Sequence, residues 1–319
     1  MLLACFVAVT ICFIFSVTLT FTTPATQSAS ASISAVLIKL FTDMVTNPLR
    51  ALVEGNYIGI LFWAIVLGII AKSTLTDTTK KILDDFSNLM VKCVNIIIQF
   101  TPIGVLGLVF TTVSQNGLSI FTIYGQLILV IVLSMILVAL ITDPLIVGLV
   151  LKRNPFPLVL TCIRESAITA FFTRSSAANI PINLELCKNL ELDLPFYSVS
   201  IPLGATINME EAAITITIMT LSLCHTLGIG VTIQTALILS IIATIAACGV
   251  SSVPNGLFLL IPTAAALFGI NLDIAMLAVG VGFGIAIITD SFETALNSAG
   301  DVIFSATSTY YHRQKMVKI

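Results

Sequence analysis

Charge is what this sequence lacks. Of 319 residues only 9% are Asp, Glu, Lys or Arg, where soluble domains carry about 25%. No charged residue occurs from Cys93 to Thr142, nor from Ala212 to Leu272. A water-soluble fold cannot stay dispersed on stretches like these, so the solvent they fit is lipid. That scarcity rules out a secreted disulfide scaffold, a nucleic-acid binder and a disordered regulator; the net charge of −2 adds little, because position matters here and totals do not. Histidine is nearly absent: His225 and His312, both expected in loops, leave no imidazole metal site. The seven cysteines (Cys5, Cys12, Cys93, Cys162, Cys187, Cys224, Cys248) are odd in number and form no CxxC pair. All but Cys187 sit in apolar runs, so they read as buried thiols rather than a disulfide framework. No basic residue precedes Lys39, so the apolar opening 1–21 reads as a spanning helix and not a leader peptide.

What is present is hydrophobic, 57% of the chain. Apolar segments are expected at 1–21, 34–71 (interrupted), 88–113 and 122–151. Two hairpin-like regions, 157–187 and 232–269, alternate with two long helices, 196–224 and 272–309. Basic residues collect in linkers 72–81 (Lys72, Lys80, Lys81) and 152–153 (Lys152, Arg153), at Lys188, and in the tail (Arg313, Lys315, Lys318). The alternate linkers 22–33, 114–121 and 225–231 have none, and 270–273 holds only Asp273. All basic linkers then fall on one side, the cytoplasm, if 157–187 and 232–269 each enter and leave on the same side. The two re-entrant hairpins so defined point in opposite directions. Their tips, 173-TRSSAANIP-181 and 248-CGVSSVPNG-256, each carry a Ser-Ser pair followed by Pro. Short interrupted segments in corresponding places of two halves point to an inverted repeat with a midplane site. Tyr57 and Trp63 read as interface anchors, and Lys39 with Asp43 as a surface pair. Arg164 and Glu165 form a neighbouring pair, either buried or facing the cytoplasm.

The few charges inside apolar helices stand out. Asp290, Glu293, Thr294, Asn297 and Asp301 recur at 0, 3, 4, 7 and 11, one polar stripe at ~100° per residue. The run before it carries Gly280, Gly282 and Gly284, small residues suited to close helix contact. Asn208, Glu210 and Glu211 interrupt the penultimate helix just after Pro202 and Gly204. A carboxylate at a helix centre costs about 2.5–3.5 kcal/mol to insert, so Glu210, Glu211, Asp290, Glu293 and Asp301 together cost about 12–18 kcal/mol unless compensated. Only Arg164 and Arg174 are candidate partners nearby. A negative, oxygen-rich interior without sulfur or imidazole suits a hard cation such as sodium, or protons. A carboxylate-pair hydrolase does not fit: Asp290 and Asp301 lie three turns apart, about 16 Å along one helix.

From about Asn47 onward the chain resembles the dicarboxylate/amino acid:cation symporter family, which includes glutamate transporters. The strings that carry the likeness are 56-NYIGILFWAI-65, 154-NPFPLVL-160, 171-FFTRSSAANIP-181, 197-YSVSIPLGATINM-209, 248-CGVSSVP-254 and 293-ETALNSAGDV-302. The resemblance implies an all-α polytopic membrane protein with a glutamate-transporter-like fold, two opposed re-entrant hairpins and broken helices. Residues 1–151 would supply scaffold and trimerisation helices, some of them belonging to the moving part, and 152–319 the transport core. Relatives carry two further helices upstream, so the scaffold would be N-terminally shortened.

By matching positions, the resemblance places substrate at Ser175, Ser176, Val253, Pro254, Asp290, Glu293, Thr294 and Asn297. Ser176 would hold the carboxylate and Asp290 the amino group, with Val253 and Pro254 in the outer gate. One sodium would lie at Asp301 with carbonyls of Gly204, Asn208 and Asn297, and another at carbonyls of Thr206 and of the second tip near Cys248 and Val250. Glu210 is grouped with the sodium residues. Where the acidic-substrate branch has arginine, this chain has Glu293, which would repel a second carboxylate. A hydroxy amino acid could instead donate its hydroxyl there. Glu211 stands where the family commonly has a small residue. The expectation is elevator-type import of serine and threonine with co-transported Na+ by a homotrimer surrounded by membrane lipid. It would sit in the bacterial cytoplasmic membrane with its C-terminus inside, with no organic cofactor, no nucleic acid and no enzymatic activity. The alternative is a membrane-inserted chain that does not cycle, or a passive channel.

Overall fold

The computed structural model describes residues 1–19, 38, 41–42, 44–54, 56–98, 103, 106, 110, 114, 119–249 and 256–316. Among these there is no β-strand. Helix α1 (Leu2–Phe15) is followed, after the segment outside the described residues, by α2 (Pro48–Glu54), α3 (Tyr57–Thr74) and α4 (Asp77–Ile98). Helix α5 (Ser119–Leu137) runs through a π-helical turn, Val138–Thr142, into α6 (Asp143–Leu151). Helix α7 (Phe156–Cys162) does the same through Ile163–Ala167 into α8 (Ile168–Thr173), and α9 (Ser176–Asn189) returns. Next come α10 (Leu194–Ile207), α11 (Glu210–Thr226) and α12 (Ile233–Ala247). A 3-10 turn (Gly256–Leu260) leads into α13 (Ile261–Ala266), and α14 spans Leu272–Met316. The axis of α14 turns by 80° between Ala286 and Ile288, immediately before the polar stripe.

Local chemistry sets the ends of these elements. Asn56 caps α3 by accepting from the Gly59 N–H, and Ser175 caps α9 by accepting from that of Ala178. Thr232 and Thr235 cap α12 reciprocally. Helix α8 stops where Arg174 takes a left-handed conformation, φ 50°, so the chain reverses at the Ser175–Ser176 tip. Among the described residues three stretches are long and apolar enough to cross a membrane: Tyr124–Leu151, Phe156–Thr173 and Leu194–Thr226. The two arms of α14 form a fourth if the bent pair is one span.

The buried core has two parts that meet along α14. One joins α1, α5 and α11–α13 to the first arm of α14, with Ile214, Ile216, Ile218, Met219 and Leu223 fully enclosed. Every residue of α11 from Glu210 to Cys224 is buried, so this helix is surrounded by protein rather than lipid. Small residues allow that: Ala4 and Ala8 of α1, like Ala212 and Ala213 of α11, are buried in this core. The second part gathers α6, α7, α9 and α10 around Val302, Ile303 and Ala306 of α14. Gly282 lets the Phe258 ring lie directly against α14; a Cβ there would collide with it.

Several expectations need correcting. The first helix stops at Phe15, short of residue 21, because Ser16 adopts the left-handed region and returns its N–H to the Cys12 carbonyl. The linker 72–81 is mostly helix: Lys80 and Lys81 belong to α4, where Asp77 and the charged first turns precede the apolar part. His225 and His312 are helical, in the last turn of α11 and near the end of α14. Gly284, expected at a close contact, faces open space: a Cβ there would meet no atom of another element within 4 Å. Trp63 is tied down by a 2.7 Å bond to the Thr46 carbonyl. Arg164 and Glu165 pair with each other at 3.1 Å on an exposed face. Lys39 and Asp43 lie outside the described residues.

Candidate functional site

The site begins at the break between α10 and α11. Asn208 and Met209 leave helical geometry, which frees main-chain groups that need partners. The last helix supplies them. The Glu210 N–H donates to Asn297 Oδ1 at 3.1 Å, and Asn208 Nδ2 donates to Asp301 Oδ1 at 3.1 Å and to the Asn297 carbonyl at 3.3 Å. Asn297 Nδ2 reaches Met209 Sδ at 3.3 Å. Glycine makes the approach possible: a Cβ on Gly204 would lie 2.5 Å from Asp301 Oδ1, and one on Gly300 2.9 Å from Asn208 Nδ2. Gly204, Asn208, Asn297 and Asp301, 97 residues apart at the extremes by numbering, therefore converge on one point. Beside them lies a cavity of about 340 Å³ whose polar lining is Ser200, Asn208, Asp301 and Ser305.

The remaining expected ion residues are near this break but differ in exposure. Cys248 Sγ, at the end of α12, donates to the Ile207 carbonyl at 3.6 Å, so the second hairpin abuts the break. Thr206 has an exposed side chain whose hydroxyl returns to the Leu203 carbonyl at 2.7 Å. Glu210 is buried and its Oε1 accepts from the amino terminus of Met1 at 3.0 Å. Val250, Val253 and Pro254 lie outside the described residues.

Of the residues expected to hold substrate, Glu293, Thr294 and Asn297 are buried and Asp290 is half-buried. Glu293 Oε1 accepts from Thr215 Oγ1 at 3.1 Å, which fixes the carboxylate against α11. Thr294 donates to the Asp290 carbonyl at 2.9 Å, an ordinary intrahelical bond. Asp290 lies within the field of Arg174 at the first tip and of Glu293, which in turn acts on Glu211. Glu211 is buried with Oε2 unpartnered. Ser175 is committed to its helix cap, and Ser176, the first residue of α9, is half-buried beside it.

Two features went unread in the sequence. Ser166, Asn179, Asn183 and Ser298 form a wholly buried polar clasp. Asn179 Nδ2 donates to Ser298 Oγ at 2.6 Å, Ser166 Oγ to Asn183 Oδ1 at 2.6 Å, and Asn183 Nδ2 to the Ser298 carbonyl at 3.0 Å. It fastens both arms of the first hairpin to α14 one residue beyond Asn297. The i, i+4 spacing of Asn179 and Asn183 was the available signal. The other is Asp143, 1% exposed, a sixth buried or half-buried carboxylate of the apolar interior. It sits at the edge of the charge-free block ending at Thr142 and belongs to no stripe. Among the described residues no cluster of His, Cys, Asp and Glu forms a metal-holding group.

Interrupted helices that meet at buried oxygens inside an apolar helical chain are the construction of membrane carriers for ions and small solutes. The chain belongs to the sodium:dicarboxylate symporter family, whose sequence model matches residues 1–310. It is a family of transporters, not enzymes. The serine/threonine transporter SstT of Bifidobacterium adolescentis is 51% identical over 279 residues, 88% of this chain and 65% of that protein. The SstT of Streptococcus agalactiae serotype III is 50% identical over 307 residues, covering 96% of this chain and 76% of its own length. The chain thus spans a little under two thirds of the first relative and about three quarters of the second.

Proposed function

We propose that this chain imports serine and threonine together with sodium by elevator-type alternating access. It works as a homotrimer in the bacterial cytoplasmic membrane, with its C-terminus in the cytoplasm. The observation that carries the reading is the convergence of Gly204, Asn208, Asn297 and Asp301 at the α10–α11 break. A buried carboxylate with neighbouring main-chain carbonyls is a donor set for a hard monovalent cation. The Gly204 carbonyl accepts one bond, from the Asn208 N–H at 2.8 Å, and keeps a second lone pair; the Asn297 carbonyl, inside α14, would exchange the 3.3 Å bond from Asn208 Nδ2 for the ion. Glu210, with its Oε1 taken by the Met1 ammonium, acts on that point through its field. The second sodium belongs where the end of α12 meets the break, at carbonyls of Thr206, Cys248 and Val250.

Substrate sits between the first tip and the polar stripe. Ser176, with the N-terminal N–H groups of α9, takes the carboxylate; Asp290 takes the amino group; Thr294 and Asn297 close the pocket. Glu293 accepts the side-chain hydroxyl on the oxygen that Thr215 leaves free. Its charge excludes aspartate and glutamate, because like charges in a dry pocket repel strongly. The names of both relatives support serine and threonine as cargo. Segments 157–187 and 232–269 act as opposed re-entrant hairpins, with Val253 and Pro254 in the outer gate. Residues 152–319 move as the transport core against scaffold helices drawn from 1–151. Sodium supplies the drive: each charge moved inward down 100 mV releases about 2.3 kcal/mol.

Thermal unfolding of the detergent-solubilised chain in sodium against choline chloride tests the ion site. Sodium at a hundred times its Kd should stabilise by about 2.7 kcal/mol, and Asp301→Asn should remove the effect. An equal rise in both salts, or one that persists in Asp301→Asn, contradicts the assignment.

A further inference from the structure

We propose that Asp143 is a proton-binding site, distinct from the sodium and substrate residues and loaded in the conformation seen here. Asp143 opens α6 directly after the π-turn Val138–Thr142. Its N–H bonds to the Val138 carbonyl five residues back, and π-turns of this kind mark functional positions in helices. The side chain lines a cavity of about 220 Å³ between this turn, the π-turn of the first hairpin and α14. Every other lining residue is apolar, among them Met135, Ala139, Ile163, Phe292, Leu296 and Ile303. Asp143 Oδ1 has no hydrogen-bond partner although the residue is 1% exposed.

The chemistry of those surroundings selects the ligand. A sodium ion needs several oxygens, and this cavity offers no side-chain oxygen besides those of Asp143. An unpaired carboxylate is the form such a wall tolerates least. One proton satisfies it and needs no second ligand. The charged groups acting on Asp143 do not supply an alternative counter-ion. Glu210 of α11 is another carboxyl group, and the Met1 ammonium is bonded to Glu210 at 3.0 Å. Arg164 and Glu165, on the neighbouring π-turn, pair with each other and are exposed, and the residues of α14 in the cavity are uncharged.

Infrared pH titration of the full chain in lipid vesicles tests this without reference to transport. The parent should show a protonated-carboxyl C=O band at neutral pH that is missing in Asp143→Asn and displaced in Asp143→Glu. Identical bands in all three proteins overturn the proposal, and the glutamate variant keeps the test decisive if the asparagine one does not fold. Sodium-driven serine uptake, which rests on the function proposed above, adds a second reading. Parent uptake should fall several-fold as alkaline pH strips the proton, while Asp143→Asn, a permanent mimic of the loaded form, should stay flat. Parallel profiles contradict a proton at Asp143. A missing band change condemns this site alone, whereas absent uptake in every protein condemns the carrier reading.

Discussion

The proposed sodium site at the α10–α11 break turns on single side chains. Gly204→Ala puts a Cβ 2.5 Å from Asp301 Oδ1, and backbone on one side with a hydrogen-bonded carboxylate on the other leaves little room to give. The sodium concentration for half-maximal uptake should rise at least ~10-fold, a loss of about 1.4 kcal/mol, with membrane insertion unchanged. A sodium titration of labelled serine uptake measures it. Glu293 makes the complementary case for the substrate. Glu293→Gln keeps its shape and the Thr215 contact but weakens a charge-assisted bond by roughly 1 kcal/mol, raising the serine KM about five-fold. Glu293→Arg should abolish serine uptake and make unlabelled aspartate a competitor in binding. These residues were legible beforehand because Asp290, Glu293, Thr294, Asn297 and Asp301 share one face at helical spacing. Asp143 was not: one carboxylate at the edge of an apolar block has no period, and only the packed cavity reveals that it is enclosed.

At the scale of elements, the Ser166–Asn179–Asn183–Ser298 clasp joins the first hairpin to the last helix. Asn183→Ala removes the 2.6 Å acceptor of Ser166 Oγ and the donors to Ser298, leaving Ser166 only its bonds with Asn179 and Ser298, at about 1 kcal/mol. The variant should unfold earlier in detergent, and a cysteine placed at Ser176 should react faster with maleimide than in the parent. The second hairpin is held differently, by the Phe258 ring seated on Gly282. Phe258→Ala should cost about 3–5 kcal/mol without speeding labelling at the first tip. Helix breaks at Asn208 and after Arg174 could be foreseen from Pro202, Gly204 and the Ser-rich tip. The clasp could not, since periodicity assigns faces but not partners, and Ser166 meets Ser298 across 132 residues. Nor could the early end of α1, which depends on one left-handed residue, Ser16, in a run whose composition favours continuation.

For the whole molecule the account is one of orientation and coupling. The proposed orientation puts Arg153, Lys188 and the tail in the cytoplasm. A cysteine at position 153, in a background lacking the seven native ones, should react with impermeant maleimide in inverted vesicles and not in intact cells. Its tail anchor, the Arg313–Asp193 pair at 2.8 Å, is exposed and contributes little to stability. The overall class followed from charge scarcity alone, whereas the 80° turn in α14 follows Gly280, Gly282 and Gly284, weak helix formers that read from the sequence only as packing contacts. Accumulation of labelled serine in proteoliposomes containing this chain, with and without an inward sodium gradient, tests the central claim most directly. Uptake above equilibrium only with the gradient, competed by threonine but not glutamate and lost in Asp301→Asn, is the result expected. Equilibration that ignores sodium, or accumulation that survives Asp301→Asn, would contradict a sodium-coupled carrier built on this site.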